Sequence, residues 1–177
     1  MDTESNPFYN KLRSAIREGD LSEVEAILRV SEGTVMLRDH ADRTLGHLCA
    51  RYGRATIFRR LLEEGLPVSA VDREGVAPLE VACRNGEPDF VKLILTAGSD
   101  PNVGRPAVSA VNRRDEHTVP ILRLLIEHGL DVNQSFVMFG DESKRRTVLD
   151  FAGDGPAADF LRTHGAKTQA ELDAAAP

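Results

Sequence analysis

Apolar residues recur at helical spacing in short runs along this chain, and the runs repeat. Ile57, Phe58, Leu61 and Leu62 form one stripe, and Phe90, Val91, Ile94 and Leu95 form the same stripe 33 residues later. A stretch of small residues precedes each stripe, from Thr44 to about Tyr52 and from Ala77 to about Asn85, and predicts a shorter first helix. Gly53 and Gly86 close these first helices, and Gly65 and Gly98 close the second ones, as left-handed C-terminal caps. Pro78 and Pro88 fall in first turns, where a missing N–H costs nothing. Asp39 with Asp72 and Arg51 with Arg84 keep the same offset. A fixed period of this size predicts a solenoid of stacked helix pairs. Helices this short are marginal alone in water. The units must therefore stack, each fully buried stripe residue contributing about 1.5–3 kcal/mol.

The outer units depart from the regular pair. Ala15, Gly19, Val24, Ile27 and Leu28 repeat the pattern in a first unit, where Asp20 and Glu23 read as a helix cap and its N3 partner. In a fourth unit the turn before the first helix is about five residues short, and three residues return near Arg113–His117 before a second helix over Val119–His128. A fifth unit carries Ala157, Ala158, Phe160 and Leu161, with Arg162 in the place of Leu95, the outward polar residue that a terminal repeat needs. These readings give one domain over 1–168, with units at about 6–37, 38–70, 71–102, 103–133 and 134–168. Residues 169–177 follow as a frayed tail of about one helical turn.

The units resemble the ankyrin-repeat family. Thr44-Leu-Gly-His47, Ala77-Pro-Leu-Glu80 and Thr147-Val-Leu-Asp150 stand where that family starts its first helix, and Gly98-Ser-Asp-Pro-Asn102 and Gly129-Leu-Asp-Val-Asn133 where it closes a unit. The resemblance covers about residues 8–168 and implies an all-α solenoid whose first and last repeats act as caps. It implies binding of a protein partner through the concave face and the finger turns, without catalysis. It gives His47 a structural role at the helix start, through local hydrogen bonds. The ending His164-Gly-Ala-Lys-Thr168 resembles that of small stand-alone bacterial members, which implies an inhibitor or immunity-type regulator of a toxin or enzyme. An adaptor bridging two proteins is the alternative, and an enzyme is the alternative of a different class.

Composition narrows the partners. The chain has 177 residues, a net charge of −6 and 41% hydrophobic residues. A core is affordable, and the sign argues against nucleic acid and anionic membranes. No apolar run reaches membrane-spanning length. The opening Met1–Pro7 has neither basic nor apolar signal character, so a cytoplasmic protein is expected. Cys49 and Cys83 fall at adjacent repeat positions that take small side chains, and read as reduced core thiols rather than a redox pair. The five histidines have no metal spacing, Asp131-Val-Asn133 lacks the rest of a calcium loop, and no nucleophile or phosphate-loop motif occurs. No cofactor and no metal are expected.

Three features remain as candidate binding sites. Arg17, Arg51 and Arg84 occupy one position in successive units, with Tyr52 beside them. Such a ladder could pair with an acidic strip of a protein partner, or simply stay solvated. The finger before the fifth unit is six residues longer than the regular one and carries Phe136, Val137, Met138 and Phe139 ahead of a turn-like Gly140-Asp141. Exposed apolar groups of this kind mark binding surfaces; the same run could instead fold back as a lid on the last unit. The regular finger tips add His40, Arg43, Arg73 and Glu74, a mixed charge suited to orienting a partner. The free protein is expected to be monomeric.

Overall fold

The computed structural model describes residues 6–31 and 33–175. Most of the opening segment and the last two tail residues lie outside these, so the reading of the opening as free of a signal segment falls outside the described residues.

The pairs of apolar runs fold as pairs of helices. They are α1 (Pro7–Glu18) with α2 (Leu21–Val30), α3 (Leu45–Tyr52) with α4 (Ala55–Glu63), and α5 (Pro78–Asn85) with α6 (Pro88–Thr96). Then follow α7 (Pro106–Val111) with α8 (Thr118–Glu127), and α9 (Val148–Ala152) with α10 (Pro156–Thr163). First helices stack on first helices, from α1 through α3, α5 and α7 to α9, and the second helices form a row behind them. The stripes meet in one continuous apolar core. At its middle Phe58 and Phe90 make an edge-to-face contact with ring centroids 5.2 Å apart, joining units two and three. The solenoid of stacked helix pairs expected from the periodicity is the fold observed, mostly helical with one two-stranded hairpin.

The first helices end on glycines in the left-handed region, with φ of 83° at Gly19, 65° at Gly53 and 73° at Gly86. In unit four the equivalent position is Arg114, which adopts φ 57°. Asp20 accepts the Glu23 N–H at 3.0 Å, the N-cap expected for α2.

Two segments differ from expectation. The long finger is a hairpin, with β1 (Phe136–Met138) antiparallel to β2 (Asp141–Arg146). Phe139 and Gly140 form its two-residue tip, with φ of 56° and 71°. That double left-handed conformation matches the twist of the flanking strands. The tail forms helix α11 (Gln169–Ala175) rather than a frayed turn. Thr168 and Glu171 cap it reciprocally: Glu171 accepts the Thr168 N–H at 2.6 Å, and Thr168 Oγ1 accepts the Glu171 N–H at 3.2 Å. The Gln169 N–H binds Asp150 at 2.9 Å, which ties the tail to α9.

Candidate protein-binding surface

Each regular finger is built on an aspartate. Asp39 Oδ1 accepts the N–H groups of Ala41 and Arg43, both at 2.9 Å, and Asp72 Oδ1 those of Glu74 and Val76 at 2.9 and 3.0 Å. Each carboxylate thereby replaces backbone partners in a tight turn. Neighbouring fingers are then tied together. The Arg73 N–H donates to the Ala41 carbonyl at 3.0 Å, and the Arg73 guanidinium to Asp42 at 3.1 Å. Arg38 reaches the Val71 carbonyl at 3.2 Å.

In α3 and α5 one side chain at the helix start locks the helix to the next unit. His47 Nδ1 accepts the Thr44 N–H at 3.0 Å, so Nε2 carries the proton and donates to the Val76 carbonyl at 2.9 Å. Burial pushes the His47 pKa below its ordinary value, against the Val76 hydrogen bond and the nearby Asp72 and Asp39 carboxylates. One unit on, the same position holds Glu80, also buried. Glu80 accepts the Arg105 N–H at 2.8 Å, the Ser109 hydroxyl at 3.2 Å and the Arg84 guanidinium at 3.1 Å. The carboxylate thus reads an N–H where the imidazole reads a carbonyl. The short fourth finger has turned its peptide over, with Gly104 at φ 74° beneath Glu80.

Between fingers two and three and the faces of α3 and α5 lies a groove of about 510 Å³. Of the candidate binding residues named from the sequence it brings together six: His40, Arg43, Arg51, Arg73, Glu74 and Arg84. Leu48, Val76 and Val81 give it an apolar floor. Its arginines are not equivalent. Arg43 is held on Asp39 at 2.7 Å, Arg73 on Asp42 at 3.1 Å and Arg84 on Glu80 at 3.1 Å. Among the described residues the Arg51 guanidinium has no carboxylate partner. Arg17 is in register with Arg51 and Arg84 but outside the groove, held by Glu18 and Ser14 on its own helix. Tyr52 is 37% exposed and likewise outside the groove. The ladder is therefore one uncommitted cation flanked by committed ones.

Periodicity alone did not mark the residues that fix the backbone behind this surface. The C-terminal carbonyls of a first helix lack partners inside the helix, and a side chain from the following unit supplies one. Arg54 reaches the Ile16 and Arg17 carbonyls at 3.1 and 2.6 Å, Asn85 those of Ala50 and Arg51 at 2.8 and 3.2 Å, and Arg113 that of Arg84 at 2.6 Å. The recurrence of a polar side chain at the end of the following first helix, Arg54 and Arg113 two residues past α3 and α7 and Asn85 at the last position of α5, is the signal that could have found them. Arg105, just before α7, instead packs on the hairpin, with its guanidinium 5.6 Å from the Phe136 ring centroid.

The finger residues Phe136, Met138 and Phe139 sit on the hairpin, separate from the groove. Phe136 and Met138 are half-buried, whereas Phe139 is 94% exposed. Elsewhere the chemistry is sparse. Cys49 and Cys83 are free and buried, and burial pushes both thiols far above their ordinary range. Among the described residues no group of three His, Cys, Asp or Glu is placed to hold a metal ion, and no helix is long and apolar enough to cross a membrane.

Comparison with known proteins agrees with this architecture. A family model described as ankyrin repeats, in three copies, matches residues 12–105, just over half of the chain. Ankyrin repeat protein nuc-2 of Neurospora crassa is 29% identical over 145 residues, which cover 79% of this chain and 14% of that protein. Protein phosphatase 1 regulatory subunit 27 of Homo sapiens is 26% identical over 85 residues, 48% of this chain and 55% of that protein. The crystal structure of the human ASB11 ankyrin repeat domain superposes with a TM-score of 0.73 at 21% identity, covering 88% of this chain and 69% of that one. The chain thus spans about a seventh of the first of these relatives and about half of the second.

Proposed function

Because the chain belongs to the ankyrin-repeat family, whose members are in general protein-interaction modules, we propose that it binds a protein partner through its concave groove and fingers, without catalysis. The observation that carries this reading is Arg51. It lines a groove with an apolar floor, beside three other arginines, and has no carboxylate of its own among the described residues. A guanidinium so placed can pair bidentately with a carboxylate, so the partner segment carries an acidic residue. Arg84, Arg43 and Arg73 shape the site and exchange partners only at the cost of existing pairs. His40, Glu74, Tyr52, Arg17 and the hairpin residues Phe136, Met138 and Phe139 complete the proposed contact surface.

Within protein binding, a dedicated regulator is the role we favour: an inhibitor of an enzyme or toxin, of the immunity kind, rather than an adaptor. The match to a regulatory subunit of a phosphatase is compatible with such a role. The proposed compartment is the cytoplasm, in keeping with two free buried thiols.

The test is the affinity of a partner, captured from the native cell and purified, for wild type and for Arg51→Glu. Among the described residues Arg51 makes no ion pair, so Arg51→Glu gives up only the cation in the last turn of α3 and should lower the melting temperature by about 2–4 °C at most. Binding should weaken at least tenfold and more steeply at low salt. Unchanged affinity would refute the groove reading. Arg84→Glu is a poor substitute, because it sets a second carboxylate against buried Glu80.

A further inference from the structure

The hairpin of unit five is braced at its base and bare at its tip. Gln134 Nε2 donates to the Asn102 carbonyl at 3.1 Å, and Arg105 donates to the Val137 carbonyl at 3.4 Å while stacking on Phe136. Ser135 Oγ donates to Gln169 at 2.6 Å, and the Arg146 guanidinium lies 5.8 Å from the Phe151 ring centroid. These contacts tie the base to units three and four, to α9 and to α11. A lid on the last unit would bury both aromatic residues of the run, yet Phe136 is only half-buried, beneath Arg105 of unit four, and Phe139 is 94% exposed. The ring of Phe160 on α10 is covered by Arg123 instead, with the guanidinium 5.1 Å from its centroid.

Phe139 also breaks a local rule. It holds φ 56° at the first tip position of a turn that selects Asn, Asp or Gly there. A bulky residue in the left-handed region is disfavoured, and such outliers concentrate at functional positions. Stability alone would put Asn in this place. Behind the tip the second strand carries Lys144, Arg145 and Arg146 with Asp141 and Glu142, and Arg105 packs on the Phe136 ring at the base. Lys144 pairs with Asp141 at 3.0 Å and Arg145 with Glu142 at 2.6 Å, whereas among the described residues Arg105 and Arg146 make no ion pair, Arg146 lying beside Asp150 and Asp173 across an open cavity.

We propose that this hairpin is a preformed probe whose tip, Phe139, seats in an apolar pocket of the protein partner, with carboxylates at the pocket mouth facing the hairpin cations. The inference rests on the protein-binding reading above and names the second anchor of that interface. A single aromatic side chain filling a desolvated pocket is the usual carrier of interface affinity, and a braced hairpin presents it with little ordering cost.

The experiment replaces Phe139 with p-benzoylphenylalanine in the full chain, crosslinks in the native cell, and maps the linked peptide. The partner so identified is purified and its Kd measured against wild type, Phe139→Asn and Arg51→Glu. The expected adduct is one protein, crosslinked at an apolar segment flanked by Asp or Glu. Phe139→Asn should bind it at least tenfold more weakly while melting at the same or a higher temperature, because Asn suits the turn. Adducts only to lipid or to a second copy of this chain, no defined adduct, or a loss of affinity below tenfold would each overturn the proposal. If Arg51→Glu weakens binding and Phe139→Asn does not, the groove reading stands and the anchor fails. If neither does, both fail.

Discussion

His47 and Glu80 occupy one repeat position and solve one problem with opposite chemistry. Each must bridge its own helix start to a peptide of the next unit, and that peptide offers a carbonyl to His47 and an N–H to Glu80. The His47 bridge needs the neutral ring, since protonated Nδ1 could no longer accept the Thr44 N–H. Its pKa in the folded protein is lowered by burial below the ordinary histidine value, so the unfolded chain takes up the proton more readily. The stability it contributes is present above the unfolded pKa and is lost as pH falls through the folded one. We predict that the melting temperature declines from pH 7.5 to pH 5.5, and that His47→Asn is less stable at pH 7.5 but flatter across this window. Thermal melts at matched ionic strength check both. An equal slope in the variant would place the acid sensitivity elsewhere. Asp39, whose pKa is lowered because hydrogen bonds from Arg43 and Ala41 outweigh the opposing burial, acts only at more acid pH. The local role of His47 was legible in Thr44-Leu-Gly-His47. Its inter-unit bond was not, because the receiving carbonyl lies 29 residues away and any residue would supply it.

The junctions between helix pairs work as elements capped by their neighbours. Gly86 must be glycine for two reasons. Its φ is 73°, and a methyl group there would run into the Arg113 guanidinium that reads the Arg84 carbonyl. Gly98 shares the first reason, at φ 92°, but nothing lies within 4 Å of the place its Cβ would take. Alanine at either site pays about 1–2 kcal/mol for the left-handed conformation. Gly86→Ala should cost about 1.5–3 kcal/mol more by displacing a charged hydrogen bond. Urea unfolding of the two variants reads the difference, and equal midpoints would mean that Arg113 caps nothing of consequence. Helices and their glycine ends were legible because burial imposes helical spacing and the left-handed cap selects glycine. The hairpin was less so. Phe136–Phe139 reads as an apolar run of either geometry, β2 carries no apolar alternation, and the tip has phenylalanine where a hairpin signal would have asparagine. The three residues returned near Arg113–His117 were counted from the register, whereas their use, Arg113 paired with Asp115 and reaching back to Arg84, depends on packing.

Taken whole, the chain sets its second helices on one side and its first helices and fingers on the other. The proposed binding features all fall on the finger side: the groove around Arg51, the tips at His40, Arg43, Arg73 and Glu74, and the hairpin ending in Phe139. The repeat register exposed that side in the sequence, because departures from a period stand out against it. It did not separate Arg51 from Arg17 and Arg84, since which arginine is left unpaired depends on where Glu18 and Glu80 sit in three dimensions. The measurement that bears most directly on a concave, finger-borne interface is amide hydrogen exchange of the full chain, free and saturated with its purified partner. Protection should appear in α3, α5, the two regular fingers and the hairpin over 136–146, while α4, α6 and α8 exchange as in the free protein. Protection confined to α4, α6 and α8, or to the outer ends of the stack, would contradict it.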